Sequence, residues 1–295
     1  MGYLSNKKHK ARVNTILKTS IFLLAMATFL GFGSNVFSHF FAQYRWQFFL
    51  VLLIIFIYSL LRRSWGYMFL AFVLGIINYF TVSSVVNIIN FTEKTASSPR
   101  LLFVSKATDP FEVIEFAENK KSNIIAVMSP QMNDFDLRTM LSEKYAFLHS
   151  SEGWDNGFML SNLPVSVSGR IKLDENLHAD FAKVQFNNMP IVFIAVDFSG
   201  MRKSQYAKVL ESLSTFCAKH DDPVVVFGDF NTVAWSKELN DFINKNGFTV
   251  KNALLNNWRN VIIPQHYYIL GYEKNYIDGD IMLSGANYFS MFTRF

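Results

Sequence analysis

Three long stretches of this chain contain no charged residue: none falls between Lys18 and Arg45, none between Arg45 and Arg62, and none between Arg63 and Glu93. A helix needs about 20 mostly apolar residues to cross a bilayer, within a range of about 17–25. Residues 16–33 and 67–89 meet that length, and residues 46–61 fall slightly short. Arg45 and Arg62 can extend that middle run by reaching the two interfaces with their charged heads. The sequence therefore predicts three transmembrane helices. The first is not read as a cleavable signal, because no small-x-small site follows it and two more spans do.

Orientation follows from where the cations lie. Lys7, Lys8, Lys10 and Arg12 precede the first span, and Arg62 and Arg63 sit between the second and third. Cytoplasmic loops are enriched in such residues. The N-terminus is thus expected in the cytoplasm and everything after Phe91 on the opposite side, which for a bacterial inner membrane is the periplasm. Arg45 alone sits on the wrong side. Trp46, Trp65 and Tyr67 suit the aromatic belts at the interfaces. Residues 1–99 hold nine Lys/Arg and one Asp/Glu, whereas the remainder holds 19 and 22. The basic pI of about 9.1 is therefore a topology signal, and no nucleic-acid partner is expected. The bilayer is the first expected partner, and a membrane or periplasmic protein the second. The single cysteine, Cys217, excludes any intrachain disulfide or thiolate metal site and reads as a small buried hydrophobe.

The membrane part is expected over 1–91, a polar linker over 92–99 and one soluble domain over 100–295. Within that domain, strands are predicted at 101–105, 123–128, 157–161, 165–167, 182–185, 191–197, 223–227 and 276–283. Continuous apolar runs bounded by polar residues mark the buried ones. Helices are predicted at 110–119, 137–143, 203–220 and 235–246, the last closed by Gly247. Along 203–220, Tyr206, Val209, Leu210, Leu213 and Phe216 fall on one face. The tail 288–295 is unusually apolar and reads as a last strand packed in the sheet, or as a segment that docks a partner.

The most specific stretch is Val224-Val225-Val226-Phe227-Gly228-Asp229-Phe230-Asn231, a buried strand ending in Gly-Asp-Phe-Asn ahead of a helix. With the strand at 123–128, the segment Asp155-Asn156-Gly157 through Ser161-Asn162-Leu163-Pro164-Val165, and Tyr276-Ile277-Asp278 following in order, the chain resembles the endonuclease/exonuclease/phosphatase superfamily, especially its membrane-anchored bacterial branch. The resemblance covers about residues 100–284. It implies an α/β four-layered sandwich, two packed sheets flanked by helices, with a site at one end. There a cation such as Mg²⁺, held by carboxylates, assists phosphoester hydrolysis, and His–Asp and Asp–Asn pairs position water and stabilise the transition state.

Several positions depart from that pattern. The metal-binding Glu falls at Ser129, and the Asn closing the first strand falls near Ser105 or Lys106. The strand at 191–197 ends in Asp197 where the family has His. No Ser-Asp-His follows Ser284. What the resemblance carries over as catalytic is Asp229, Asn231 and Asp278. Asp229 and Asp197, with Asp278 and Asp280, are the residues that could form a rearranged cation site. His149 and His266 are the candidate substitute bases. Two functions stay open: a catalytically degenerate domain serving as a binding or scaffold module without a cofactor, or a working Mg²⁺-dependent phosphodiesterase or phosphatase with a rearranged site. For Asp229 and Asn231 the structural alternative is a turn or helix cap.

Overall fold

The computed structural model describes residues 2–33, 36–86, 99–105, 110–128, 139–140, 145, 147–149, 157–250, 266–272, 278–283 and 291–293. Lys106, Ser129, Tyr276, Ile277, the linker 92–98 and most of the helix expected at 137–143 lie outside these residues.

The N-terminal part is helical: α1 (Gly2–Leu30), α2 (Val36–Gln43), α3 (Arg45–Leu61) and α4 (Trp65–Ser83). Two helices, Ala11–Leu30 and Trp65–Ser83, are long and apolar enough to cross a membrane. The middle segment is not the straight span that the sequence suggests. Phe37–Gln43 and Arg45–Leu61 meet at an angle of 57°. The cause is Arg45, which does not reach for an interface. Its side chain is 1% exposed; it donates to the Thr28 carbonyl at 3.2 Å and lies 3.8 Å from the Phe32 ring centre. Thr28 belongs to the last turn of α1, whose carbonyls lack helical partners and favour a cation. A π face adds to that attraction. Asn78 of α4 donates to Thr28 Oγ1 at 2.9 Å, so two polar side chains pin the end of α1. Leu17, Ile21, Leu52, Ile55, Ala71 and Leu74 fill the apolar seam between these helices.

The rest forms two six-stranded sheets. The first contains β1 (Arg100–Ser105), β2 (Ile124–Met128), β3 (Phe147–His149), β4 (Gly157–Ser161), β11 (Asp278–Leu283) and β12 (Met291–Thr293). The second contains β5 (Val165–Asp174), β6 (Leu177–Phe186), β7 (Met189–Asp197), β8 (Val224–Asp229), β9 (Phe248–Val250) and β10 (Tyr267–Tyr272). Helix α5 (Pro110–Lys120) lies on the first sheet; α6 (Tyr206–Cys217) and α7 (Lys237–Lys245) lie on the second.

The continuous apolar runs explain the four layers, because each central strand is buried on both faces. Leu101, Phe103, Phe193, Ala195, Val225 and Phe227 point between the sheets. Their neighbours alternate outward. Leu102 and Val104 meet Val113 and Ala117 of α5, while Val192, Ile194, Val224 and Val226 meet Tyr206, Val209, Leu213 and Leu239 of α6 and α7. The C-terminal strand expected in the tail is present as β12, antiparallel to β11.

The direction of the sheets fixes which ends meet. Asn162 N–H donates to the Asn123 carbonyl at 3.0 Å, and Gln185 N–H donates to the Pro164 carbonyl at 2.9 Å. Gln185 pairs with Pro190 at the start of β7. The crossover after β4 thus joins the start of β2 to the start of β7. The C-terminal ends of β1, β2, β7 and β8 therefore gather at the opposite end of the sandwich.

Candidate functional site

At that end β7 and β8 stop side by side. Their parallel register pairs Asp197 with Asp229, and β10 places Tyr267 against Asp229 from the other side. The approach is so close that Gly228 is required. At φ +136° a Cβ there would stand 2.0 Å from the Val196 carbonyl oxygen. The glycine of the Gly-Asp-Phe-Asn signature is thus explained by the close approach of the β7 backbone. The Phe is explained by burial: Phe230 is fully buried edge-on against Phe198, with ring centres 5.8 Å apart.

The two carboxylates both hold local backbone. Asp229 Oδ1 accepts the Asn231 N–H at 2.7 Å, which fixes Asn231 at φ 49° in an Asx-type turn. Asp197 Oδ1 accepts the Ser199 N–H at 2.9 Å. Asn231 Nδ2 reaches the Ser199 carbonyl at 3.4 Å, tying the two turns together. The Phe230 N–H donates to the His266 carbonyl at 2.9 Å, and the Tyr206 hydroxyl donates to the Phe230 carbonyl at 2.8 Å.

Two further groups complete the cluster. Lys203, on the short 3₁₀ turn Lys203–Gln205, donates to the Asn231 carbonyl. Burial pushes its ammonium pKa down, and the charges of Asp229 and Glu238 act the other way. His266 is pushed down to about 4 by burial, with the Lys203 charge acting in the same direction. It is therefore neutral at physiological pH, and its Nε2 has no hydrogen-bond partner among the described residues. Beside Asp197 a cleft of about 600 Å³ opens, with Arg170, His178, Ser199, Arg202 and Gln205 in its lining. Its mixed charges suit a polar ligand.

Of the residues singled out from sequence, the fold brings together Asp197, Asp229, Asn231 and His266. It does not bring in Asp278. Parallel pairing sets Asp278 opposite Arg100 at the start of β1, and Leu283 opposite Ser105 at its end. Five residues of strand, about 16 Å, separate those two levels. The reason is register: β11 runs with β1, so its first residue lies at the far end of the sandwich. Asp280 sits opposite Leu102, again short of the site end, and His149 pairs with Met159 on β3. The sequence marks Lys203 only as the first residue of a predicted helix, so its place in the cluster is not legible there. Its only signal was a cation six residues past the end of a strand that borders the Gly-Asp-Phe-Asn strand.

Mg²⁺ is held by one or two carboxylates, with waters and substrate phosphates completing its shell. Among the described residues no group of three or more His, Cys, Asp or Glu side chains could hold a metal. Asp197 and Asp229 are two carboxylates, each with one oxygen on a backbone N–H, and a lysine ammonium stands within electrostatic reach of Asp229. Lys203 sets a positive charge beside Asp229, which disfavours a cation at that carboxylate.

The loop after the site leads directly to the N-terminal helices. Trp235 Nε1 donates to the Ala42 carbonyl at 2.7 Å. His39 Nε2 lies 3.3 Å from Glu238 Oε1, and the His39 ring meets Tyr206 edge-on. Ala42, Trp46, Val82 and Val86 belong to the same apolar core as Val233, Ala234, Trp235 and Tyr206. The helix ends and the domain share one interior.

No family model and no curated protein sequence matches the chain. Solved structures do. An endonuclease/exonuclease/phosphatase family protein from Bacteroides thetaiotaomicron aligns over 66% of this chain and 92% of its own, with TM-score 0.51 and 9% identity. A mannosyl-6-phosphatase from the same organism aligns over 66% and 94% (TM-score 0.48, 9% identity), and sphingomyelinase C from Streptomyces griseocarneus over 68% and 96% (TM-score 0.47, 12% identity). The domain after residue 99 has the endonuclease/exonuclease/phosphatase fold.

Proposed function

We propose that this chain is a membrane-anchored domain of the endonuclease/exonuclease/phosphatase fold that has lost phosphoester catalysis and acts as a binding or scaffold module. In this reading the chain crosses a bacterial inner membrane three times, the broken pair α2–α3 counting as one crossing. The N-terminus is cytoplasmic and the domain periplasmic, as the cations at 7–12 and 62–63 support. Its partner is a membrane or periplasmic protein, and the polar cleft beside Asp197 is the surface offered to it.

One observation carries the reading. Lys203 places an ammonium on the Asn231 carbonyl beside Asp229, in the turn where hydrolytic relatives are expected to gather charge around a cation. A fixed ammonium and a divalent cation repel each other at such range. The carboxylates meanwhile serve the turns. On this view Asp229→Asn keeps a side-chain oxygen for the Asn231 N–H and removes only the charge. The variant is expected at normal abundance, with normal cellular function and no change in hydrolysis of a generic phosphodiester. Loss of function at normal abundance, together with loss of hydrolysis, would overturn the scaffold reading. A reporter active only outside the cytoplasm, fused after Phe295, should be active; an inactive fusion at normal expression would reverse the topology.

His266 favours a second reading. A neutral imidazole with an unpartnered Nε2 within the cluster has the protonation state of a general base. If the domain hydrolyses phosphodiesters, His266→Ala should abolish the activity while leaving the fold intact.

A further inference from the structure

Between α1 and α4 lies an apolar groove of about 430 Å³. Ile21, Ala25 and Leu74 form its floor, and Phe22, Phe29 and Leu70 stand as exposed walls. It has one polar end, where Lys18 of α1 and Tyr67 of α4 come together. Because α1 and α4 run the same way across the bilayer, both residues lie toward the cytoplasmic side.

The dimensions match half a membrane. From Lys18 to Phe29 is eleven residues, about 16 Å of helix, and from Tyr67 to Ile77 is ten, about 15 Å. The hydrocarbon core is about 30 Å thick, so the groove spans one leaflet. Its cation and phenol then stand at headgroup level. The lining argues against a partner helix, since helices pack in membranes through small residues that let backbones approach. Here bulky Phe22, Phe29, Tyr67 and Leu70 line the groove and hold a second backbone away.

We propose that this groove is a binding site for one acyl chain of an anionic phospholipid of the cytoplasmic leaflet, whose headgroup phosphate pairs with Lys18. The site rests on the reading of α1 and α4 as membrane spans. Lys18 sets the headgroup preference, because its ammonium can meet an anionic headgroup without a competing cation on the lipid, whereas a zwitterionic one carries its own. The groove itself sets chain retention.

The test uses the full chain in a mild non-ionic detergent, offered equal amounts of phosphatidylglycerol and phosphatidylethanolamine of the same chain length, and read by native mass spectrometry. One phosphatidylglycerol per chain should be retained, at least fivefold over phosphatidylethanolamine. Ala25→Phe, which fills the floor, should reduce retention about tenfold. Lys18→Gln should keep the lipid and lose the preference, and Lys18→Arg should restore it. Equal retention by Ala25→Phe, or an unchanged preference in Lys18→Gln, would overturn the proposal. So would a dimer that Ala25→Phe converts to monomer, which would give the groove to a second copy. Alkaline carbonate extraction separates the two levels. If the wild-type chain stays in the membrane pellet while the lipid results fail, the groove reading alone falls. If carbonate releases the chain, the membrane reading falls with it.

Discussion

Gly228→Ala is the sharpest probe of the way the site end is built. A Cβ at Gly228 would lie 2.0 Å from the Val196 oxygen and 3.0 Å from the Val196 carbonyl carbon. Real Cβ contacts stay above 3.0 Å, so β7 and β8 would have to part by about 1 Å. Val196 is fully buried in the register that pairs it with Gly228, which leaves no slack. Alanine at φ +136° adds backbone strain of about 1–3 kcal/mol, and forcing atoms into a packed interior costs about 1–3 kcal/mol more. The sum, about 2–6 kcal/mol, is a large part of a domain's stability of about 5–15 kcal/mol. Cys217 supplies the assay. It is the only cysteine and is buried, and burial pushes its thiol pKa up to about 12, so a thiol-reactive dye reports unfolding of the detergent-solubilised chain. At about 2–4 °C per kcal/mol for a domain of this size, the Gly228→Ala midpoint should fall by about 4–24 °C. Gly200→Ala is the control, since a Cβ there meets nothing within 4 Å; its midpoint should move by less than about 2 °C. Equal midpoints for Gly228→Ala and wild type would refute the close approach of Gly228 to Val196.

Two other expectations follow from the same cluster. His266 is held near pKa 4 instead of its ordinary 6.5, so the unfolded chain takes up a proton that the folded one refuses. Its contribution is complete above pH 6.5 and is lost as pH falls toward 4, by at most about 3 kcal/mol. Denaturant melts at pH 7 and 4.5 should show this loss in wild type and less of it in His266→Phe; identical pH dependence in the two would remove His266 from the account. Trp235→Phe should cost about 1–3 kcal/mol by stranding the Ala42 carbonyl in the last turn of α2, read as an earlier rise in Cys217 labelling, and an unshifted curve would mean that the bond to α2 is not made.

The buried strands were legible because apolar residues on both faces leave an uninterrupted run, as at 224–227. Helix α6 showed its face at Tyr206, Val209, Leu210 and Leu213, all of which are buried. Helix α7 closes as expected, with Gly247 at φ 64°, although it starts at Lys237 after Ser236 instead of at Trp235. The hairpin β5–β6 was only half visible. In β5 the residues Ser168, Gly169, Arg170 and Lys172 break the apolar signal, although of these only Lys172 is exposed. The bend at Tyr44 and Arg45 was hidden because hydropathy cannot show that a cation will cap another helix. At the candidate site, sequence order singled out Asp229, Asn231 and Asp197, which the fold brings to one end of the sandwich. It could not show that β11 starts at the far end, because strand register is set by pairing partners distant in the chain.

The shared interior around Trp235 has a consequence for how the protein is made. A ribosome delivers α1 to α4 first, so the helix ends carrying Ala42, Trp46, Val82 and Val86 are in place before residues 233–239 are synthesised. Those ends then act as a template on which the last layer of the domain closes. A fragment starting near residue 99 would lack that template and would carry an apolar scar at Val233, Ala234 and Trp235 where the helices belong. Such a fragment should be captured by chaperones or self-associate, while the full chain matures as one unit.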